Sequence, residues 1–215
     1  MKDFQKLTKV LKKSSMNNFF FVIWGNPKFY QTLIFLARHL SKKGKKILII
    51  CKESNLQNNI IEKIDFGKNT SVLTLPNPFF SSFNFLNYFF FVMYVIYKHF
   101  RINPRNVVFF NQKSLFIVIL INIFSKKKNQ KFYYHNFDFD LKKNLLEFKD
   151  KLLFKIEIYA SKFCDSLIFP SQRRSEIFAN IAKNKSKNLY YCMNCFPLNY
   201  TPKTDFRFRS FLKNK

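Results

Sequence analysis

Among the 215 residues, the ionisable side chain best placed for chemistry is His135. It follows the run Lys131-Phe132-Tyr133-Tyr134 and precedes Asn136-Phe137-Asp138-Phe139-Asp140. An imidazole with a pKa of about 6.5 and a carboxylate such as Asp138 nearby can move a proton or hydrogen-bond a substrate hydroxyl. The plainer reading is a histidine held within its own loop, with Asp138 and Asp140 capping a turn. Arg173 and Arg174 follow Pro170-Ser171-Gln172 at the start of a helical run. Cations there oppose the helix dipole, so an anionic ligand or a lipid phosphate would compensate them, while Ser171 serves as the N-cap. Gly25-Asn26-Pro27-Lys28 opens another helical run. Its free amides suit an anion, Asn26 caps it and Lys28 adds charge, although capping alone also accounts for these residues.

Other chemistries are not supported. No Ser-His-Asp or Cys-His arrangement, catalytic carboxylate pair or metal cluster stands out, so neither a metal nor a cofactor is expected. Cys192-Met-Asn-Cys195 is a lone CxxC, two ligands where a structural zinc takes four. It closes an apolar run instead of opening a helix, as a redox pair would. With Cys51 and Cys164 it reads as a set of thiols in a reducing compartment.

The elements that must carry these residues follow from periodicity. Phe19–Trp24 is a continuous apolar run, as a strand buried on both faces should be. Tyr30, Leu33, Ile34, Ala37 and Leu40 then form an amphipathic helical stripe that ends in Ser41-Lys42-Lys43-Gly44. Lys45–Cys51 completes a β-α-β unit, which is right-handed and parallel. Further strands are predicted at Ser71–Leu75, Arg105–Phe110, Lys131–Tyr134, Ser166–Phe169 and Leu189–Cys192. Helices are predicted at Phe83–Phe100, Leu115–Phe124, Leu145–Phe163 and from Ser171 to about Ala182. The alternation predicts a single α/β, Rossmann-like, doubly wound domain over 18–197, with a mostly parallel sheet and helices on both faces. Residues 1–17 read as a basic amphipathic helix and 198–215 as a linker or tail. In such a sheet ligands bind beyond the carboxyl ends of the strands. That rule selects Gly25–Lys28, Asn111–Ser114, His135–Asp140 and Pro170–Arg174 as the site, with Asn26, Lys28, Asn111, Asp138, Ser171, Arg173 and Arg174 as substrate contacts.

The charge is large: 38 Lys+Arg against 12 Asp+Glu leave +26. More than half of the chain is Lys, Asn, Phe, Ile or Tyr, all with A/T-rich codons, so base composition explains much of it. Lysines outnumber arginines 31 to 7 and no basic-aromatic module is present, which makes nucleic acid an unlikely partner. The amphipathic 1–17 segment and the aromatic Phe79–Phe100 stretch fit an anionic membrane surface better. Asn84 and Asn87 cut the second below the ~20 apolar residues a spanning helix needs, so a buried or interfacial helix is expected there. The apolar run Phe19–Trp24 is too short for a signal peptide.

The order of these segments resembles the N-terminal, acceptor-side domain of GT-B glycosyltransferases of the family 4 kind. Phe19–Cys51 resembles that family's opening strand, its "L-A-x-x-L-x-x-x-G" helix and the strand that follows. Asn103-Pro104-Arg105-Asn106-Val107-Val108 is similar to its "kPDvvh" strand, with Asn106 in place of Asp. Tyr133-Tyr134-His135-Asn136 resembles the strand ending in a cleft-lining His. Glu157–Phe178 is similar to its "E…a.aD.vi.pS" segment, and Asn194 with Pro197 to the turn beyond. The likeness covers roughly 18–200. It implies a retaining transferase that moves a sugar from a nucleotide-diphosphate sugar to a lipid-linked or polysaccharide acceptor at the cytoplasmic membrane face. His135 would contact acceptor or transferred sugar, Asn26 and Lys28 would approach the donor phosphates, and Arg173 and Arg174 would lie near the cleft or membrane. Two departures stand out. The first loop keeps only Gly25 of the family's glycines. No second Rossmann domain with its Glu-x7-Glu element follows Pro197, which implies an acceptor half whose donor domain is separate or missing. The alternative is a non-catalytic membrane-surface accessory protein or degenerate fragment.

Overall fold

The computed structural model describes residues 18–52, 64–75, 84–124, 130–136, 148–182 and 188–191. The 1–17 segment, the 198–215 tail, Asp138, Asp140 and the CxxC pair lie outside them.

Among the described residues seven strands form one sheet: β1 (Asn18–Ile23), β2 (Lys46–Lys52), β3 (Thr70–Leu75), β4 (Asn106–Phe110), β5 (Lys131–His135), β6 (Ser166–Phe169) and β7 (Asn188–Tyr191). Their order is β3-β2-β1-β4-β5-β6-β7 and every pairing is parallel. The expected mostly parallel α/β sheet is therefore found, parallel throughout its described strands. The chain winds outward from β1 in one direction through β2 and β3, then crosses to β4 and winds the other way. The strand order thus reverses between β1 and β4, the kind of switch point at which open α/β sheets take ligands beyond the carboxyl ends of their strands. Phe21, Val22 and Ile23 are 0% exposed, and burial on both faces is why Phe19–Ile23 can be apolar at every position.

Successive residues point to opposite faces, and two separate cores follow from that. On one face Phe21, Ile23, Ile49, Cys51, Val108 and Phe110 meet Leu33, Ile34 and Ala37 of α1 (Gln31–Lys42). On the other, Phe20, Val22, Ile50, Val107, Phe109 and Tyr134 meet four helices. These are α2 (Asn84–Ile102), α4 (Ile117–Phe124), α5 (Phe148–Ser161) and α6 (Gln172–Ala182). A one-turn helix, α3 (Gln112–Leu115), leads into α4. Each fully buried Phe or Ile in these cores stabilises the fold by about 1.5–3 kcal/mol relative to exposure.

Two local readings need correction. The first helix does not begin at Pro27: Asn26 caps a single 3-10 turn, Pro27–Phe29, and α1 starts at Gln31. The proline supplies the right φ for that turn, but the tighter winding ends after three residues and lets Tyr30 redirect the chain. The helix predicted as Leu115–Phe124 is divided, because Phe116 separates α3 from α4. Among the described residues no helix is long and apolar enough to cross a membrane.

Candidate functional site

Four consecutive neighbours in the sheet, β1, β4, β5 and β6, end at the same edge. The ends of these strands and the residues just beyond them place Asn26, Asn111, His135 and Ser171 along that edge, which spans three strand spacings, about 14 Å. The segments selected from sequence are gathered there by the topology, with Asp138 outside the described residues.

Asn26 is 7% exposed, and its Oδ1 accepts the amide of Lys28 at 2.9 Å. Lys28 itself is exposed. Asn111 has φ +87°, rare for a residue with a side chain, and is the N-cap of α3. Its Oδ1 accepts the Ser114 amide at 3.0 Å. Its Nδ2 donates to the Trp24 carbonyl at 3.0 Å and to Tyr30 Oη at 3.3 Å. Asn111 thus ties the turn after β1 to the turn after β4, across the crevice between them. Ser171 caps α6 by accepting the Arg174 amide at 3.3 Å, as expected. Arg173 is exposed and Arg174 half-buried, while Glu176 is engaged by Gln172 at 2.8 Å.

His135 is 1% exposed, and its ring stacks on Phe110 with centroids 5.7 Å apart and planes 20° from parallel. Burial pushes its pKa down to about 4, against a smaller backbone hydrogen-bond effect in the other direction. At neutral pH it is an uncharged imidazole. It suits hydrogen bonding to a hydroxyl better than supply of a proton.

The group that sequence reasoning left without a role is Glu157. It is 4% exposed in α5 and receives three donors: Tyr134 Oη at 2.6 Å, Asn136 Nδ2 at 2.6 Å and Gln112 Nε2 at 3.0 Å. Burial pushes its carboxyl up to about 7, and the three hydrogen bonds oppose that shift without cancelling it. Asn136 also donates its amide to the Ile168 carbonyl at 2.9 Å. The carboxyl therefore joins α3, β5 and α5 directly beneath the edge where His135 ends its strand. A signal existed: Glu157, Ala160, Ser161 and Cys164 share one buried face at helical spacing, and a lone acid there must be hydrogen-bonded. Among the described residues no group of His, Cys, Asp or Glu could hold a metal.

A scan against protein-family models finds no match, and a search of curated proteins finds none either. Solved structures do match. A chain of sucrose-phosphate synthase from Thermosynechococcus elongatus superposes with TM-score 0.60 at 10% identity, over 82% of this chain and 48% of that one. A second chain of that enzyme gives TM-score 0.54 at 12% identity, over 85% and 90%. Phytolacca americana UGT2, solved with UDP-2fluoro-glucose and pterostilbene, gives 0.55 at 6% identity, over 83% and 54%. The chain thus spans about half the length of two of these three. The likeness is one of fold: a Rossmann-like domain of the GT-B kind.

Proposed function

We propose that this chain is the acceptor-side domain of a GT-B glycosyltransferase, of retaining type and family 4-like. It would help transfer a sugar from a nucleotide-diphosphate sugar to a lipid-linked or polysaccharide acceptor at the cytoplasmic face of a membrane. The observation that carries the reading is the β1/β4 reversal of strand order, with Asn26, Asn111 and His135 at the carboxyl edge of a GT-B-type sheet. Nucleotide sugars enter the reading through the neighbours, UGT2 having been solved with UDP-2fluoro-glucose and UGT89C1 with UDP-L-rhamnose.

In this reading the neutral His135 hydrogen-bonds an acceptor or sugar hydroxyl. Asn26, Lys28 and Asn111 border the donor phosphates, Asp138 and Ser171 serve as further substrate contacts, and Arg173 and Arg174 face an anionic group. Glu157 holds the floor through Gln112, Tyr134 and Asn136 without touching substrate. A donor-binding half is required, on this polypeptide or on another. The test is incorporation of labelled sugar from UDP-glucose, UDP-N-acetylglucosamine and GDP-mannose into a lipid extract. The 215-residue chain is assayed alone and with a donor-domain chain from the adjacent reading frame. Activity only with the second chain is expected. Turnover by this chain alone overturns the half-enzyme reading, and none in either case counts against transfer.

A second reading, a non-catalytic accessory protein at an anionic membrane surface, is favoured by the outer side of α2. There Phe85, Phe89, Met93 and Tyr97 are 77%, 49%, 50% and 53% exposed. Liposome flotation without any transferase activity would support it.

A further inference from the structure

The crevice has a corner that the roles above leave unused. Ile23 pairs with Cys51 on one side and Phe110 on the other, so Trp24, Lys52 and Asn111 stand in the next row across the edge. Lys52 and the residues at Asn111 are then two strand spacings apart, about 10 Å. Lys52 points to the face of Leu48 and Ile50, where Trp24 packs, and its ammonium lies 4.4 Å from the centroid of the Trp24 ring. From α2, Tyr88 meets the same ring edge-on at 5.1 Å and donates its hydroxyl to the Lys113 carbonyl at 2.7 Å. Lys113 is exposed; burial, and after it the Lys113 charge, holds the Lys52 ammonium below the usual lysine range. Among the described residues neither lysine makes an ion pair. Two cations close enough to repel each other, one of them over an aromatic ring and neither paired with a described carboxylate, are stabilised when an anion lies between them.

Tyr88 also shows what kind of anion fits. It belongs to the first turns of α2, where Phe85 and Phe89, beside it in the chain, stand exposed and open an outward row that runs along the helix. No Asp or Glu occurs in α2, α3 or α4. A free phosphate would leave that apolar row in water, and a second copy of a chain carrying +26 would be repelled. We propose that this corner seats a phosphate-headed lipid, with the head between Lys52 and Lys113 over Trp24 and the chain along Phe85 and Phe89. The inference rests on the transferase reading only in making that lipid the sugar acceptor; the seat itself is independent of turnover.

Trp24 is the single tryptophan of the chain, so its fluorescence reports on the seat. The 215-residue protein is titrated with dioctanoyl phosphatidic acid below its micelle concentration, with no sugar donor present. A saturable change in emission is expected, and neither inorganic phosphate nor dioctanoylglycerol at equal concentration produces it. Lys52→Met/Lys113→Met weakens binding about tenfold, as loss of charge-assisted contacts should. Lys42→Met/Lys43→Met removes the same charge at the far edge and changes it less than about twofold. No saturable change, an equal response to inorganic phosphate, or equal loss in both double variants overturns the proposal. Phe85→Ser/Phe89→Ser alters only exposed side chains and so tests the seat even if the lysine variant fails to fold. Undiminished affinity in that variant also overturns it.

Discussion

Tyr134 Oη lies 2.6 Å from Glu157 Oε1, and this bond fastens the end of β5 to the C-terminal half of α5. The neighbouring residue His135 points to the opposite face, against Phe110, so one strand end carries a raised acid on one side and a depressed base on the other. The two groups share no hydrogen bond. They are linked by the alternation of a β-strand and by the burial that both faces of a parallel sheet impose.

That pairing makes a prediction about stability against pH. Glu157 titrates near 4.5 when unfolded and at about 7 in the fold, so between those values the native state holds more protons and stability falls as pH rises. His135 titrates near 6.5 unfolded and at about 4 folded, so the native state holds fewer protons and stability rises with pH over nearly the same window. Each effect is worth about 3 kcal/mol at most. The two slopes largely offset each other between pH 4.5 and 6.5 in the parent chain. Relative to the parent, Glu157→Gln should gain stability as pH rises through this window, and His135→Phe should lose it. Urea midpoints from pH 4.5 to 7 measure this; profiles parallel to the parent's would show that neither shift exists.

Asn111 combines a left-handed backbone, an N-cap and the bond to the Trp24 carbonyl. Asn111→Ala loses the cap and the bond and keeps the strain, at a cost of about 2–3 kcal/mol. Asn111→Gly loses the same contacts but relaxes the backbone, so it should cost less than the alanine variant. Chemical denaturation of both orders them, and equal losses would remove the backbone from the account.

Gly67 has φ +95°, and a Cβ there would lie 2.5 Å from Ser41 Cβ. Ser41 cannot retreat cheaply, because its Oγ accepts the Asn69 amide at 2.9 Å and its carbonyl accepts Asn69 Nδ2 at 3.2 Å. Gly67→Ala should therefore destabilise by roughly 2–3 kcal/mol, well beyond an ordinary surface change. A thermal midpoint within a degree of the parent would refute the close approach.

Arg173 stands exposed in the first turn of α6, where the dipole disfavours a cation. Arg173→Ala should raise the unfolding midpoint slightly at low salt, and the gain should shrink at high salt. Added inorganic phosphate should narrow the difference if the arginine serves an anion. A lower midpoint in the variant would mean that the side chain has a stabilising partner.

Much of this was legible before folding. Phe19–Trp24, the Leu33–Leu40 stripe and the Lys45–Cys51 run announce a parallel β-α-β unit, because only a strand covered on both faces can be apolar throughout. The segments at Asn26, Asn111, His135 and Ser171 could be singled out because parallel strands all end at one edge. The 3-10 turn at Pro27–Phe29 was not legible: Asn-Pro opens either kind of helix, and the packing of Tyr30 beside Asn111 decides between them. The role of Glu157 was hidden for a similar reason. Its donors come from residues 112, 134 and 136, far from it in sequence.

By itself, then, the sequence determined the class of fold and the edge where chemistry can occur, since local periodicity and chain direction are enough for both. Tertiary structure alone decided the protonation of that edge. A pKa depends on what surrounds a group, and only folding puts His135 against Phe110, Glu157 among its three donors, and Lys52 over Trp24 within reach of Lys113.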